Sequence, residues 1–133
     1  MTITLQMMEA TATRSTTARH PATVLSKATL SAAKRLGLGN RDLARILGTS
    51  EASVSRLGRE RTFRPGSREA ELAALFVRLF RSLDTLTGGD EGKARAWFEA
   101  PNVHLGGIPA ERVKSVEGLV DVVQYLDAMR GKL

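Results

Sequence analysis

The chain has 133 residues, 42% hydrophobic and 26% charged, enough for a buried core but for no more than two small domains. It contains no cysteine, which excludes disulfides, thiolate metal sites and cysteine nucleophiles, and no apolar run approaches the roughly 20 residues that span a bilayer. The net charge of +6 is unevenly placed: residues 1–66 carry 11 Lys/Arg against four acids, a net of +7, whereas residues 67–133 carry nine against ten, a net of −1. The first half therefore points to a polyanion, and the second to another task. On charge alone, a solvated basic face without a partner is the alternative. A chain this short also gains from self-association or a partner, because its surface is large for its volume.

Residues 1–20 are rich in Thr and Ala, poor in large apolar groups and without sustained period, and read as a disordered tail. Arg14, Arg19 and the scarcity of acids also suit a mitochondrial presequence, but a disordered bacterial leader is the preferred reading. The bacterial cytoplasm is the expected location, with no membrane partner. After Pro21, Val24, Leu25, Ala28, Ala32 and Leu36 recur at helical spacing, and Gly37 ends that helix. A second helix is expected from Asn40 to Gly48, and a third from Ser50 to about Gly58. Residues 59–67 read as a basic linker with a Pro-Gly turn. Leu72, Leu75, Phe76, Leu79, Leu83 and Leu86 then predict a helix of about five turns, capped by Ser67 and closed by Gly88-Gly89. Asp90 opens a shorter helix that carries Trp97 and Phe98 and stops at Pro101; Trp97 is expected in the core. A loop with two prolines and two adjacent glycines follows. The last helix starts near Glu117, carries Leu119, Val120, Val123, Leu126 and Met129, and ends at Gly131. The class is all-α, without useful β-alternation. The expected division is a tail over 1–20, a helix-turn-helix bundle over 21–64, and a small helical domain over 65–133.

Ala44, Gly48, Val54 and Leu57 are spaced by four, six and three residues. Two helices crossing through a tight turn need a small residue at the crossing, which Ala44 supplies. They need a residue tolerant of positive φ at the turn, which Gly48 supplies. Val54 and Leu57 then face inward against Leu43 and Leu47, and Ser50 suits the N-cap of the second helix. Glu51, Ala52, Ser55, Arg56 and Arg59 face outward, where a helix in a major groove reads base edges. Arg56 suits a guanine edge, and Ala52 a thymine methyl. Arg41, Arg45, Arg59, Arg61 and Arg64 suit phosphates, and Thr49 and Ser50 complete the expected DNA-binding set. Glu51 is an objection, since phosphates repel it, unless it accepts from a cytosine amino group or is held by an arginine. The segment resembles the Xre-type, lambda-repressor-like helix-turn-helix.

Catalysis needs positioned acids, bases or nucleophiles. The two histidines, His20 and His104, have no metal-ligand spacing, and Gly106-Gly107 lacks the lysine and hydroxyl of a phosphate loop. No enzyme activity, metal or cofactor is expected.

From its residues alone, the segment from Pro101 to Pro109 is a well-formed helix connection. Together with its surroundings it resembles the toxin-binding domain of the Xre/MbcA/ParS antitoxin family. Trp97, Pro101, Asn102, Leu105, Gly106, Gly107, Pro109, Gly118 and Leu126 match that pattern, and Phe63, Arg64 and Pro65 match its linker. The resemblance covers roughly residues 22–131. It implies a type II antitoxin that binds a cognate RES-domain toxin, obstructs its NAD-consuming or ADP-ribose-transferring cleft, and represses its own operon by binding double-stranded operator DNA. On that reading toxin contacts are expected from Asn102, His104, Leu105, Gly106 and Gly107, from Arg112 and Lys114, and from Arg130, Lys132 and Leu133. The long apolar helix is expected to serve core and dimer contacts, giving a homodimer within a larger toxin–antitoxin complex. Two readings stay open beside it: a plain regulator whose second half dimerises or binds a ligand, and an adaptor without DNA affinity.

Overall fold

Seven α-helices make up the regular structure of residues 20–132, the part of the chain that the computed structural model describes. They are α1 (Pro21–Arg35), α2 (Asn40–Leu47), α3 (Glu51–Arg56), α4 (Arg68–Leu86), α5 (Glu91–Glu99), α6 (Pro109–Arg112) and α7 (Val116–Arg130). Among the described residues there is no β-strand, only two isolated bridges. The all-α class is as expected, with a helix-turn-helix first and a smaller helical part after it. Residues 1–19 of the expected tail, and Leu133, lie outside the described residues.

Local chemistry sets the helix ends. Ser50, Ser67, Asp90 and Ser115 each accept, through a side-chain oxygen, the backbone N–H three residues on, at 3.0–3.1 Å. Each such cap is worth about 1 kcal/mol. The predicted starts at Ser50, Ser67 and Asp90 are therefore realised as hydrogen bonds.

The strongest apolar period in the sequence becomes the axis of the fold. Along α4, Leu72, Ala73, Phe76, Val77, Leu79, Phe80, Ser82 and Leu83 are buried. This helix packs on α1, α2 and α7. One apolar cluster consequently runs from Leu43 and Leu57 through Phe76 to Leu119 and Leu126. Polar contacts follow the same path. Ser82, fully buried, donates to Asp127 Oδ1 at 3.1 Å, and Asp127 also holds Arg78 at 2.6 Å. Arg95 of α5 donates to the carbonyls of Lys34 and Arg35 at 3.1 and 2.9 Å, so the second half caps the end of α1. Arg35 lies over the Phe80 ring, 4.7 Å from its centroid, and pairs with Asp84 at 3.1 Å.

Three sequence expectations shift. The stripe predicted on α1 is rotated: Val24 is 43% exposed, while Ala22, Ser26, Thr29, Ala32 and Ala33 are buried. Ser26 and Thr29 tolerate burial because each hydroxyl donates to a carbonyl four residues back, Ala22 and Leu25, at 2.7 Å. Phe63, in the segment read as linker, is 1% exposed and belongs to the core. On α7, Val122 is fully buried whereas Met129 is 36% exposed.

Candidate functional sites

The α2–turn–α3 unit is built as its spacing requires. Leu43, Ala44, Leu47, Val54 and Leu57 are all buried in the common cluster. Gly48 has φ +69°, and a Cβ there would meet only Leu72 Cδ1 at 3.7 Å. It is the left-handed backbone, more than lack of space, that selects glycine. With this inner face spent on packing, Ser50, Glu51, Ala52, Ser55 and Arg56 are exposed, and Thr49 is half-buried. Arg41, Arg45, Arg59 and Arg64 are exposed around them. None of the arginines at 41, 45, 56, 59 and 64 makes an ion pair among the described residues. Arg59 keeps one contact, from Nη2 to the Ser55 carbonyl at 3.1 Å.

Arg61 is placed differently from the other arginines of the set. Its Nε donates to the Ser53 carbonyl at 2.9 Å, and its two Nη atoms donate to the two Glu69 oxygens at 2.9 Å each. Its side chain is only 23% exposed. This two-pronged pair ties the end of α3 to the start of α4.

The segment after α5 folds into a stapled turn. Asn102 N donates to the Gly107 carbonyl at 2.9 Å, and Gly107 N donates back to the Asn102 carbonyl at 3.2 Å. Asn102 Oδ1 accepts from Leu105 N at 3.2 Å. Gly106, at φ +68°, makes the reversal. Leu105 points inward and is 7% exposed, whereas Val103 stands out at the tip, 95% exposed. Beside it the His104 ring stacks on Tyr125 with centroids 5.9 Å apart, and Tyr125 stacks on Trp97 at 6.2 Å. Trp97 is half-buried in this stack rather than enclosed in the core. Val103 and Tyr125 are absent from the sequence-derived set. The signal for Val103 was present, an apolar residue inside an Asn/Gly turn where no core position exists. Nothing in the pattern of α7 separates Tyr125 from a core residue.

Of the four cations expected on this side, Arg112 and Lys114 are engaged within the chain. Arg112 Nη2 donates to Asp121 Oδ2 at 2.6 Å. Lys114 Nζ reaches Glu111 at 3.1 Å and Asp42, on α2, at 3.3 Å, and its side chain is 15% exposed. The Glu111 hydrogen bond raises the Lys114 pKa above the ordinary lysine value; partial burial opposes this, and Asp42 adds to it. Arg130 and Lys132 are exposed, and Leu133 lies outside the described residues. Gly118 permits the closest approach in this half: a Cβ there would overlap the Arg112 carbonyl.

Residues 17–78 match the family model of the antitoxin Xre-like helix-turn-helix domain. Residues 82–132 match that of the antitoxin Xre/MbcA/ParS C-terminal toxin-binding domain. The two matched segments are separated by residues 79–81 inside α4 and between them take in the other six helices whole. No curated protein matches the chain.

Proposed function

We propose that this chain, which belongs to the Xre/MbcA/ParS antitoxin family, holds a cognate RES-domain toxin inactive with its C-terminal half and represses its own operon through α2 and α3. The observation that carries the proposal is the stapled turn inside the matched toxin-binding segment, with Val103 95% exposed at its tip. A valine fixed there by three backbone-anchored hydrogen bonds loses little freedom on docking. The neighbouring stack of His104, Tyr125 and Trp97 adds the rigid aromatic surface on which binding energy concentrates. Val103 enters an apolar recess of the toxin, and Arg130 and Lys132, exposed at the end of α7, are further toxin contacts. Leu105, Arg112 and Lys114 act as supports, because their side chains are spent inside the protein. The toxin consumes NAD, and its cleft is closed by occupation.

On the DNA side, α3 lies in the major groove. Arg56 donates to a guanine edge, Ala52 meets a thymine methyl, and Ser55 lets the helix approach closely. Arg41, Arg45, Arg59 and Arg64 contact phosphates. Arg61 positions α3 rather than touching DNA. The protein works as a homodimer on paired half-sites, within a larger complex when toxin is present.

Co-expression with the RES-domain product of the adjacent gene tests this reading. The expected result is growth rescue and one co-eluting complex on size-exclusion chromatography. Toxicity undiminished by the intact chain, with no complex recovered, overturns the antitoxin reading and leaves a plain regulator.

A further inference from the structure

A trough runs between α1 and α4. Its larger part is lined by Pro21, Val24, Leu25, Ala28 and Val77, and Arg78, Arg81 and Arg130 border it. A smaller part continues it, sharing Ala28, Val77 and Arg81 and reaching Arg35 and Asp84. The trough thus follows α1 from its first residue to its last, about 21 Å at 1.5 Å per residue. It explains the rotated stripe of α1: Val24, 43% exposed, is directed at the trough and not at the core. Of the residues given above to toxin or DNA, only Arg130 borders it.

The chain that leads into the trough has the form to cover it. Residues 1–19 precede the described ones and arrive at His20, beside Pro21. Their large apolar groups are Met1, Ile3, Leu5, Met7 and Met8, and none occurs from 9 to 19. Over residues 1–7 these alternate with Thr2, Thr4 and Gln6. So short an alternation makes no sheet, but extended it is a strip with one apolar edge and one polar edge. At about 3.3 Å per residue the strip is roughly 20 Å long, which matches the trough. Residues 8–20 can reach about 40 Å, enough to lay the strip along α1 in either direction. The charges agree. Glu9, the only acid in residues 1–19, directly follows the strip. The arginine border is basic, and only Arg78 is paired among the described residues, with Asp127 at 2.6 Å. Arg14 and Arg19 fall in the connection and need no place in the trough. A free peptide would have to arrive from solution, whereas the tethered strip is present at about millimolar effective concentration.

We infer that the trough between α1 and α4 is a docking site for the N-terminal segment of the same chain, with Met1, Ile3, Leu5 and Met7 seated between the two helices and Thr2, Thr4 and Gln6 turned to solvent. The backbone of the seated strip stays at the surface, so its polar groups keep water as a partner. The seat takes Val24 and Pro21 out of water and closes an apolar patch that other hydrophobic surfaces would otherwise find. It rests on neither the DNA-binding nor the toxin-binding reading.

The chain has no cysteine, so Thr4→Cys carries a single nitroxide on the polar edge of the strip. Paramagnetic broadening is then read across the amide and methyl spectra of the full chain. The expected result is loss of the Leu25, Ala28, Val77 and Arg81 signals while those of Val103 and Arg56 remain. Adding Ile3→Asp and Leu5→Asp should restore the Ala28, Val77 and Arg81 signals without changing the circular dichroism. A large excess of chain carrying neither nitroxide nor isotope should leave the broadening intact, because label and signals belong to one molecule. Broadening no stronger at Ala28 and Arg81 than at Val103 overturns the inference, as does broadening that survives the two aspartates. Signals restored by the excess chain overturn the same-chain seat and give the trough to a second copy. None of these outcomes touches the proposed function, which operator and toxin binding test separately.

Discussion

The two surfaces of this protein treat their charges in opposite ways. Around α3, five arginines stand in solvent without an ion pair among the described residues. In the second half, Arg78, Arg95, Arg112 and Lys114 are each held by a carboxylate of the same chain. What that half offers instead is shape: a bare valine on a stapled turn and a stack of three rings. One region is equipped to recognise a polyanion through free charge. The other presents shape, with these four cations engaged within the chain while Arg81, Arg130 and Lys132 remain exposed.

The largest expected effect comes from the scaffold beneath the toxin-facing surface. Gly118→Ala forces a Cβ into the Arg112 carbonyl, which should lower the unfolding free energy by about 3 kcal/mol. Chemical denaturation checks this, and a loss below about 0.5 kcal/mol would show that the helix shifts freely. Next, Val103→Asp should weaken toxin binding by about 2 kcal/mol, roughly thirtyfold, without moving the melting temperature. Arg56→Ala should cost about 1–3 kcal/mol at the operator and relax specificity at one base pair. Equal loss on random DNA would reduce Arg56 to a phosphate contact.

Arg61 sharpens the comparison further, because it belongs to the basic region but is used like the cations of the other. Arg61→Ala should destabilise the fold by about 1–2 kcal/mol. Combining it with Glu69→Ala should cost little more than either change alone. If Arg61→Ala lowers only operator affinity, it is a phosphate ligand after all. The smallest effect is expected at Lys114, whose two carboxylate partners are 45% and 64% exposed, so that loss of its pairs should cost below about 1 kcal/mol. Its raised pKa means that the protonated form is favoured by folding. The contribution is therefore complete at neutral pH and is lost only as pH climbs past the ordinary lysine range. A stability titration from pH 6 to 9 should show no step from this residue.

The sequence discloses what is local and hides what is not. The spacing of Ala44, Gly48, Val54 and Leu57 is set within one supersecondary unit, so it is readable without coordinates. The serine and aspartate caps and the long apolar period of α4 are readable for the same reason. Arg61 is not, because nothing in an arginine after a turn distinguishes one that finds Glu69 from one left in solvent. Lys114 and Asp42 pair across the fold from distant parts of the chain. The rotated face of α1 escapes a hydrophobic pattern because Ser26 and Thr29 satisfy their hydroxyls on their own helix. Val103 is hidden because an apolar residue reads as core, whereas the turn tip that carries it has none beneath it.

On the function proposed above, DNA and toxin are bound by separate surfaces of unlike physical character. Operator and toxin affinities of Arg56→Ala and Val103→Asp, measured in parallel over a range of salt, test it most directly. Each variant should lose one partner and keep the other, and operator affinity should fall steeply with salt whereas toxin affinity falls little. If either variant loses both partners while remaining folded, or if toxin binding falls with salt as steeply as DNA binding, the claim is contradicted.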